Sequence, residues 1–423
     1  MKVLIISHNP MSPRHSIGKA LLAMFSEFQP EEICQLYING YTPKEDVCSS
    51  FFRITDKNAL KGVFTRKVAG TVVSPAVGEQ GAVAQNTQSK KSCSAIKNRM
   101  PHRELLRDFI WSISPWYNKA LKAWIEKEKP TCIFVAIGSG KFLYHIALKI
   151  AKEYNLPIFT YICDDFYSIN PPKTLLGPLW KKRIQRKSKE LFGKSKVLIS
   201  IAYELSEFYK KEFEKPTFTI MMGTNYNVSS NIRVKENIKT IRYFGKLTIN
   251  RYKSIAEIGR VIDEMNQEEK TDYSLEIYCS DIWDEVKREF ENIQSVQFYP
   301  FITGEEFTKT FFASDALLHV EAFDETSISR VKHSVSTKIA DSLASGIPLF
   351  AYGPEEVSSI KHLLRNDCGI VVTSKEDLKK KLKMLFSESE KTEEVARQAL
   401  VAAEKYHNPQ KTSQELYNLI LGS

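Results

Sequence analysis

The stretch STKIADSLASGIPLF, residues 336–350, gathers groups that suit an anion. Ser336 is placed to cap a helix, Thr337 and Lys338 fall in its first turn, and Asp341 follows a turn later. Gly346 and Pro348 then stop the helix ahead of a buried strand. Hydroxyls, free backbone N–H groups and a cation at one helix start favour phosphate. A second set lies in YFGKLTINRYKS: Gly245 ends a strand and lets backbone approach a ligand, while Lys246, Arg251 and Lys253 bring cations to the same loop. Both sets also admit a plainer reading, as a solvated turn and as a carboxylate steadying a helix dipole.

The elements that must position these residues alternate. KVLIIS (2–7), TCIFVAIGSG (131–140), IFTYICDD (158–165) and KVLISIA (196–202) are apolar runs, each followed by a helical pattern. After the polar linker 223–239 the cycle restarts with TIRYFG, SLEIYC, VQFYPF, DALLHVEAF, PLFAYG and CGIVV. Such alternation predicts parallel sheets covered on both faces. A chain of 423 residues with 43% hydrophobic content suits two domains. The spans are 1–218, with 65–103 as an excursion loop, and 219–404, with a closing amphipathic helix at 405–423 free to return to the first domain. The fold class is α/β, two doubly wound Rossmann-like domains, with ligands expected at the carboxyl ends of strands and in the cleft between domains.

Seven scattered cysteines without a C-x-x-C pair argue against a disulfide framework or structural zinc, and for a reducing compartment. The apolar run at the N-terminus is too short for a signal peptide, and no window is long enough to span a bilayer, so the expectation is a cytoplasmic protein. A net charge of +10 points to an anionic partner: nucleic acid, an acidic membrane surface or a phosphorylated small molecule. No nucleic-acid-binding module is present, so nucleic acid is not the expected partner.

The segments IRYFGKLTINRYKSIAEIG, VQFYPFITGEEFTKTFFASDALLHV and STKIADSLASGIPLFAYGPEE, in that order, resemble the donor domain of GT-B nucleotide-sugar glycosyltransferases, close to glycosyltransferase family 4. The first half matches more loosely, through KVLIISHNP, IFTYICDDF and KVLISIAYELSEFY. The resemblance implies a hexosyltransferase using a UDP- or GDP-type sugar as co-substrate and an acceptor hydroxyl on a glycan or lipid carrier, in bacterial capsule, exopolysaccharide or lipopolysaccharide assembly. It implies a donor diphosphate held by Gly18, Gly245, Lys246, Arg251, Ser336, Thr337 and Lys338. Asp341 corresponds to the group that holds the ribose, and Phe301 to a base contact. The first Glu of the family's E-x7-E motif falls on His333, a departure that bears on the retaining outcome the family implies. No D-x-D triplet occurs, so no metal or other cofactor is expected and protein cations must serve the diphosphate.

His8, just past the first strand, and Asp164, at the end of another, are candidates to hold or deprotonate an acceptor hydroxyl; Asp165 and His15 are second choices. The basic stretch LWKKRIQRKSKELFGKSK (179–196) suits an anionic bilayer, with tryptophans of 103–127 as anchors. An NDP-sugar epimerase of the same fold and a non-catalytic basic binding protein remain open alternatives.

Overall fold

A computed structural model describes the chain except residues 15, 44–45, 68–69, 75–100, 139, 169, 172, 281 and 423. His15 and most of the expected excursion loop thus lie outside the described residues. The chain divides into two units: Met1–Met221 with Pro409–Ser423, and Met222–Asn408.

The first unit runs β1 (Val3–Ser7), α1 (Ser16–Met24), β2 (Ile33–Tyr37), β3 (Ser50–Arg53), α2 (Asp56–Thr65), β4 (Thr71–Val73), α3 (Pro101–Ile113) and α4 (Lys119–Glu128). It continues with β5 (Cys132–Ile137), α5 (Phe142–Tyr154), β6 (Ile158–Ile162), α6 (Gly177–Lys194), β7 (Ser195–Ser200), α7 (Tyr203–Phe213) and β8 (Thr217–Thr219). Its strands form one sheet in the order β4-β3-β2-β1-β5-β6-β7-β8, parallel except for β4 against β3. Strands such as β1 and β5 are buried at every position, as a sheet covered on both faces requires.

The second unit comprises β9 (Thr240–Phe244), α8 (Arg251–Glu269), β10 (Ser274–Cys279), α9 (Asp284–Phe290), β11 (Val296–Pro300), α10 (Gly304–Phe312) and β12 (Ala316–Val320). Then come α11 (Glu325–Val331), α12 (Thr337–Ala344), β13 (Leu349–Tyr352), α13 (Ser358–Arg365), β14 (Ile370–Val372), α14 (Leu378–Ser387) and α15 (Ser389–Tyr406). Its parallel sheet has the order β11-β10-β9-β12-β13-β14. The last helix, α16 (Pro409–Leu421), belongs to the first unit, where Leu416 and Ile420 join the core with Val3, Phe28 and Phe134.

Each sheet reverses its strand order once, between β1 and β5 and between β9 and β12. Backbone fans apart at such a point and leaves a crevice outside the carboxyl ends of the strands. His8 follows β1, Gly245 follows β9 and Glu321 follows β12, so the chemistry-bearing loops sit at these reversals.

Three readings of the sequence need correction. Strands β2, β3, β4 and β8 were not anticipated, and β4 with the start of α3 gives regular structure to both described edges of the 65–103 stretch. The tryptophans at 111, 116, 124 and 180 are buried, so none is a membrane anchor. Ser336 occupies the cap position of α12 without a side-chain capping bond; its N–H instead donates to Ser359 Oγ at 3.0 Å.

Candidate functional site

In the second unit the turn after β9, the carboxyl end of β12 and the start of α12 converge. Gly245 closes the β9 run with its N–H donating to the Tyr278 carbonyl at 3.0 Å. Across from it, the Lys338 ammonium lies where a Cβ at position 245 would stand and 5.4 Å from the Tyr243 ring centre. The Lys338 side chain as a whole is exposed, but its ammonium lies against the β9 turn, and desolvation there, with Arg251 and Lys246 as like charges, brings its pKa down to about 8. A cation held against its own repulsion is primed for an anion. Lys246 itself is exposed, and its carbonyl accepts from Tyr243 Oη at 2.8 Å.

Arg251, at the start of α8, does not point free into solvent. Its Nε and Nη2 donate to the Glu321 carboxylate at 3.0 and 3.1 Å, and Nε also reaches the Val320 carbonyl at 3.2 Å. Glu321 is almost fully buried, and burial pushes its carboxyl up against the downward pull of Arg251 and Lys338. His319 lies on the same strand face, two residues before. Burial, with Arg251 and Lys338 nearby, brings its pKa down to about 3, so it is neutral. Its Nε2 lies 3.4 Å from Glu321 and has no hydrogen-bond partner among the described residues. Tyr243, Arg251, His319, Ser336 and Lys338 line a small cavity of about 100 Å³.

A larger cavity of about 330 Å³ adjoins it, with Lys338, Leu318 and Ser342 common to both. Its wall is aromatic: Phe244, Tyr278, Phe301, Phe307 and Phe311. The Phe244 and Tyr278 rings stack at 4.9 Å, and Phe301 is 60% exposed at the rim. Such a wall accepts a flat ring, and a cation at its edge accepts the charge carried by that ring's substituent. Asp341 also lines it, with its carboxylate engaged by Thr224 Oγ1 (3.1 Å), the Asn225 N–H (2.7 Å) and Asn225 Nδ2 (2.9 Å). Thr337 is exposed at the first position of α12.

The anion and ring candidates Gly245, Lys338, Ser336, Asp341 and Phe301 thus come together, with Arg251 beside them. Sequence reasoning missed Glu321, His319 and the aromatic wall beyond Phe301, that is Phe244, Tyr278, Phe307 and Phe311. The signal was present in HVEAF, where two ionisable residues share one face of an otherwise apolar strand.

In the first unit, His8 and Asp164 follow β1 and β6, separated in the sheet by β5. The His8 carbonyl accepts from the N–H groups of Ile38 and Asn39, and Arg107 Nη2 lies 3.3 Å from its Nδ1. The Asp164 carbonyl accepts from Phe166 N–H, while Asp165 takes Tyr209 Oη at 2.8 Å and the Ser168 N–H at 3.0 Å. Gly18 was expected to leave room beside phosphates. The space on its side-chain face is instead filled by the carbonyl oxygens of Pro10 and Ser12, and the glycine lets α1 pack against its own preceding loop. The loop is further held by buried Gln35, whose Oε1 accepts from Met11 N–H at 2.9 Å and whose Nε2 donates to Ser7 Oγ at 2.8 Å.

Among the described residues no group of three or more His, Cys, Asp or Glu is placed to hold a metal ion, and no helix is long and apolar enough to cross a membrane. Residues 259–418 match the glycosyl transferase-like family, a span that includes Phe301, Ser336, Thr337, Lys338 and Asp341 but not Gly245, Lys246 or Arg251. No curated protein matches the chain by sequence. Among solved structures it is similar to Alr3699/HepE of Anabaena in complex with UDP, at 10% identity over all of both chains with a TM-score of 0.64. It is also similar to the lipopolysaccharide outer core galactosyltransferase WaaB, at 10% identity over 100% of this chain and 99% of that one, TM-score 0.62. Sucrose-phosphate synthase of Thermosynechococcus elongatus matches over the same shares at 10% identity and TM-score 0.60. The architecture is the GT-B fold, two Rossmann-like units each built on a parallel sheet.

Proposed function

We propose that the protein is a glycosyltransferase that moves a hexosyl group from a UDP- or GDP-type donor to an acceptor hydroxyl. The observation that carries this reading is the Lys338 ammonium at the junction of an aromatic cavity and a cation-rich one. A nucleobase fills the first, with Phe301 at its rim, and the diphosphate reaches Lys338 and the start of α12. As the bond from the sugar to the diphosphate breaks, charge grows on the leaving oxygens, and fixed cations lower that barrier. Lys338 and Lys246 supply the charge directly, and Arg251 does so from its seat on Glu321. Asp341 holds the ribose by exchanging a bond now made to Asn225. His8 and Asp164 hold or deprotonate the acceptor hydroxyl.

The same reading makes the reaction metal-independent, because protein cations do the work of a D-x-D-bound ion, and retaining in outcome. The acceptor is a glycan or lipid-linked saccharide of capsule, exopolysaccharide or lipopolysaccharide assembly, met by a protein peripheral to the inner face of the plasma membrane. Support comes from the glycosyl transferase-like match, from the UDP complex of HepE and from the galactosyltransferase WaaB. A thermal-shift screen of nucleotides and nucleotide sugars tests it. A ligand at 100 times its Kd stabilises the native state by about 2.7 kcal/mol. Absence of any shift with UDP, GDP or their sugars refutes the reading.

A further inference from the structure

Helices α2, α3 and α6 are neighbours in the first unit, α2 packed on α3 and α3 on α6. Ala59 and Gly62 are the buried residues of α2, so that helix leaves its larger apolar side chains outside. Leu60 and Phe64 are exposed, Phe64 by 80%. On α3, Leu106, Phe109 and Ile113 are exposed at 58%, 55% and 43%, spaced as one helical stripe. Leu175, at 96%, and Leu179 are exposed just before and within the first turn of α6. Single exposed apolar residues are ordinary, but these fall on three adjacent helices.

The charge around them is predominantly positive. Lys57, Lys61, Arg103, Lys173, Lys182 and Arg186 are all exposed on the same segments. The acids of these helices are Asp56, Glu104, Asp108 and Glu190, and each is already held, Glu190 by Lys187 at 2.7 Å. Asp56 accepts from Arg107 and Trp111, Glu104 from the Trp180 indole at 2.6 Å, and Asp108 from Arg183 and the Phe142 N–H. Outward apolar side chains with cations beside them fit an anionic lipid surface, where the former enter the headgroup boundary and the latter meet phosphate. A second copy of the chain fits poorly, since it would bring the same positive charge to the contact.

We propose that this α2–α3–α6 face docks the protein on an anionic bilayer. The basic residues that do so are Lys61, Lys182, Arg186 and their exposed neighbours. Lys181 and Arg183 are not among them, because Lys181 donates to the Tyr167 carbonyl and Arg183 holds buried Asp108.

The full chain is sedimented with vesicles of phosphatidylcholine alone and of phosphatidylcholine with phosphatidylglycerol, without nucleotide, so the result is independent of glycosyl transfer. The parent should bind the mixed vesicles and release them at high salt. Each charge near the leaflet is worth about five-fold, so Lys61→Gln/Lys182→Gln/Arg186→Gln should weaken binding about 10²-fold. Leu106→Gln/Phe109→Gln, at exposed positions that leave the fold intact, should weaken it about ten-fold or more. Failure of the parent to bind, equal binding to neutral vesicles, or variants that bind as the parent does overturns the proposal. So does a dimer in sedimentation equilibrium that the Leu106/Phe109 variant dissociates, which would assign the face to a second copy.

Discussion

The ammonium of Lys338 occupies the space that a Cβ at Gly245 would take. The glycine is therefore required by its neighbour's charge rather than by backbone conformation. The obstructing atom is the end of a flexible side chain, so Gly245→Ala should fold normally while displacing the cation. Nucleoside diphosphate affinity, read by calorimetry, should fall about ten-fold or more, as expected for a lost charge-assisted contact. Lys338→Ala should do the same, and the double variant should be little worse than either single one. Additive losses would show that the two positions act independently.

Lys338 also makes binding pH-dependent. With a pKa near 8 it is charged at neutral pH and loses its proton as pH rises through that value. Diphosphate affinity should decline between about pH 7 and 9, and Lys338→Arg should flatten the decline because guanidinium keeps its charge. An unchanged slope in that variant would move the titrating group elsewhere.

Arg251 and Glu321 form a pair that no single substitution tests cleanly. Arg251→Ala leaves a carboxylate buried without its partner, which costs about 3–5 kcal/mol. A drop in activity would then mix instability with lost chemistry. Arg251→Met/Glu321→Leu should recover most of the thermal stability while leaving turnover low, on the order of 10²-fold below the parent. Turnover that recovers along with stability would make the arginine a scaffold element.

Three buried histidines in the second unit should make it acid-sensitive. His319 and His362 are brought down to about 3 and His407 to about 4, burial being the first cause of each. His362 and His407 face one another at 3.1 Å between Nε2 atoms, and His407 Nδ1 lies 2.8 Å from the Met222 carbonyl. All three stay neutral in the folded state, whereas the unfolded chain takes up protons near pH 6.5. Stability should therefore fall as pH drops from about 6.5 toward 4, by on the order of 1 kcal/mol per pH unit for each histidine. Urea unfolding at pH 7 and 5.5 measures this, and His362→Phe should reduce the difference.

Sugar transfer, once a donor is found, should survive exhaustive EDTA treatment. Loss of activity restored by Mg²⁺ or Mn²⁺ would mean that protein cations do not suffice for the leaving diphosphate.

Strands such as β1, β5 and β13 were legible because they are continuous apolar runs, buried at every position. Strand β2 escaped notice because Gln35 interrupts ICQLY; the side chain is buried yet satisfied by the loop after β1, a partner invisible at the level of one strand. Strands β4 and β8 are three-residue edges with too few positions to show a period. The cations of the site were legible from type and spacing. Their partners were not: Glu321 lies about seventy residues beyond Arg251, just past a strand that only the sheet order brings alongside. The tryptophans misled because composition does not say which face of a helix carries them.

The return of α16 has a consequence for synthesis. Phe28 meets Tyr417 edge-on at 4.9 Å, and the Glu27 N–H donates to Ser413 Oγ at 2.9 Å. The 1–221 segment thus waits for the residues from Pro409 onward before its core closes, while the uninterrupted 222–408 segment can finish beforehand. On the ribosome the usual order is inverted, the later unit maturing ahead of the earlier one. Stalling or truncation before Pro409 should leave a nascent chain whose second unit resists protease and whose first unit does not.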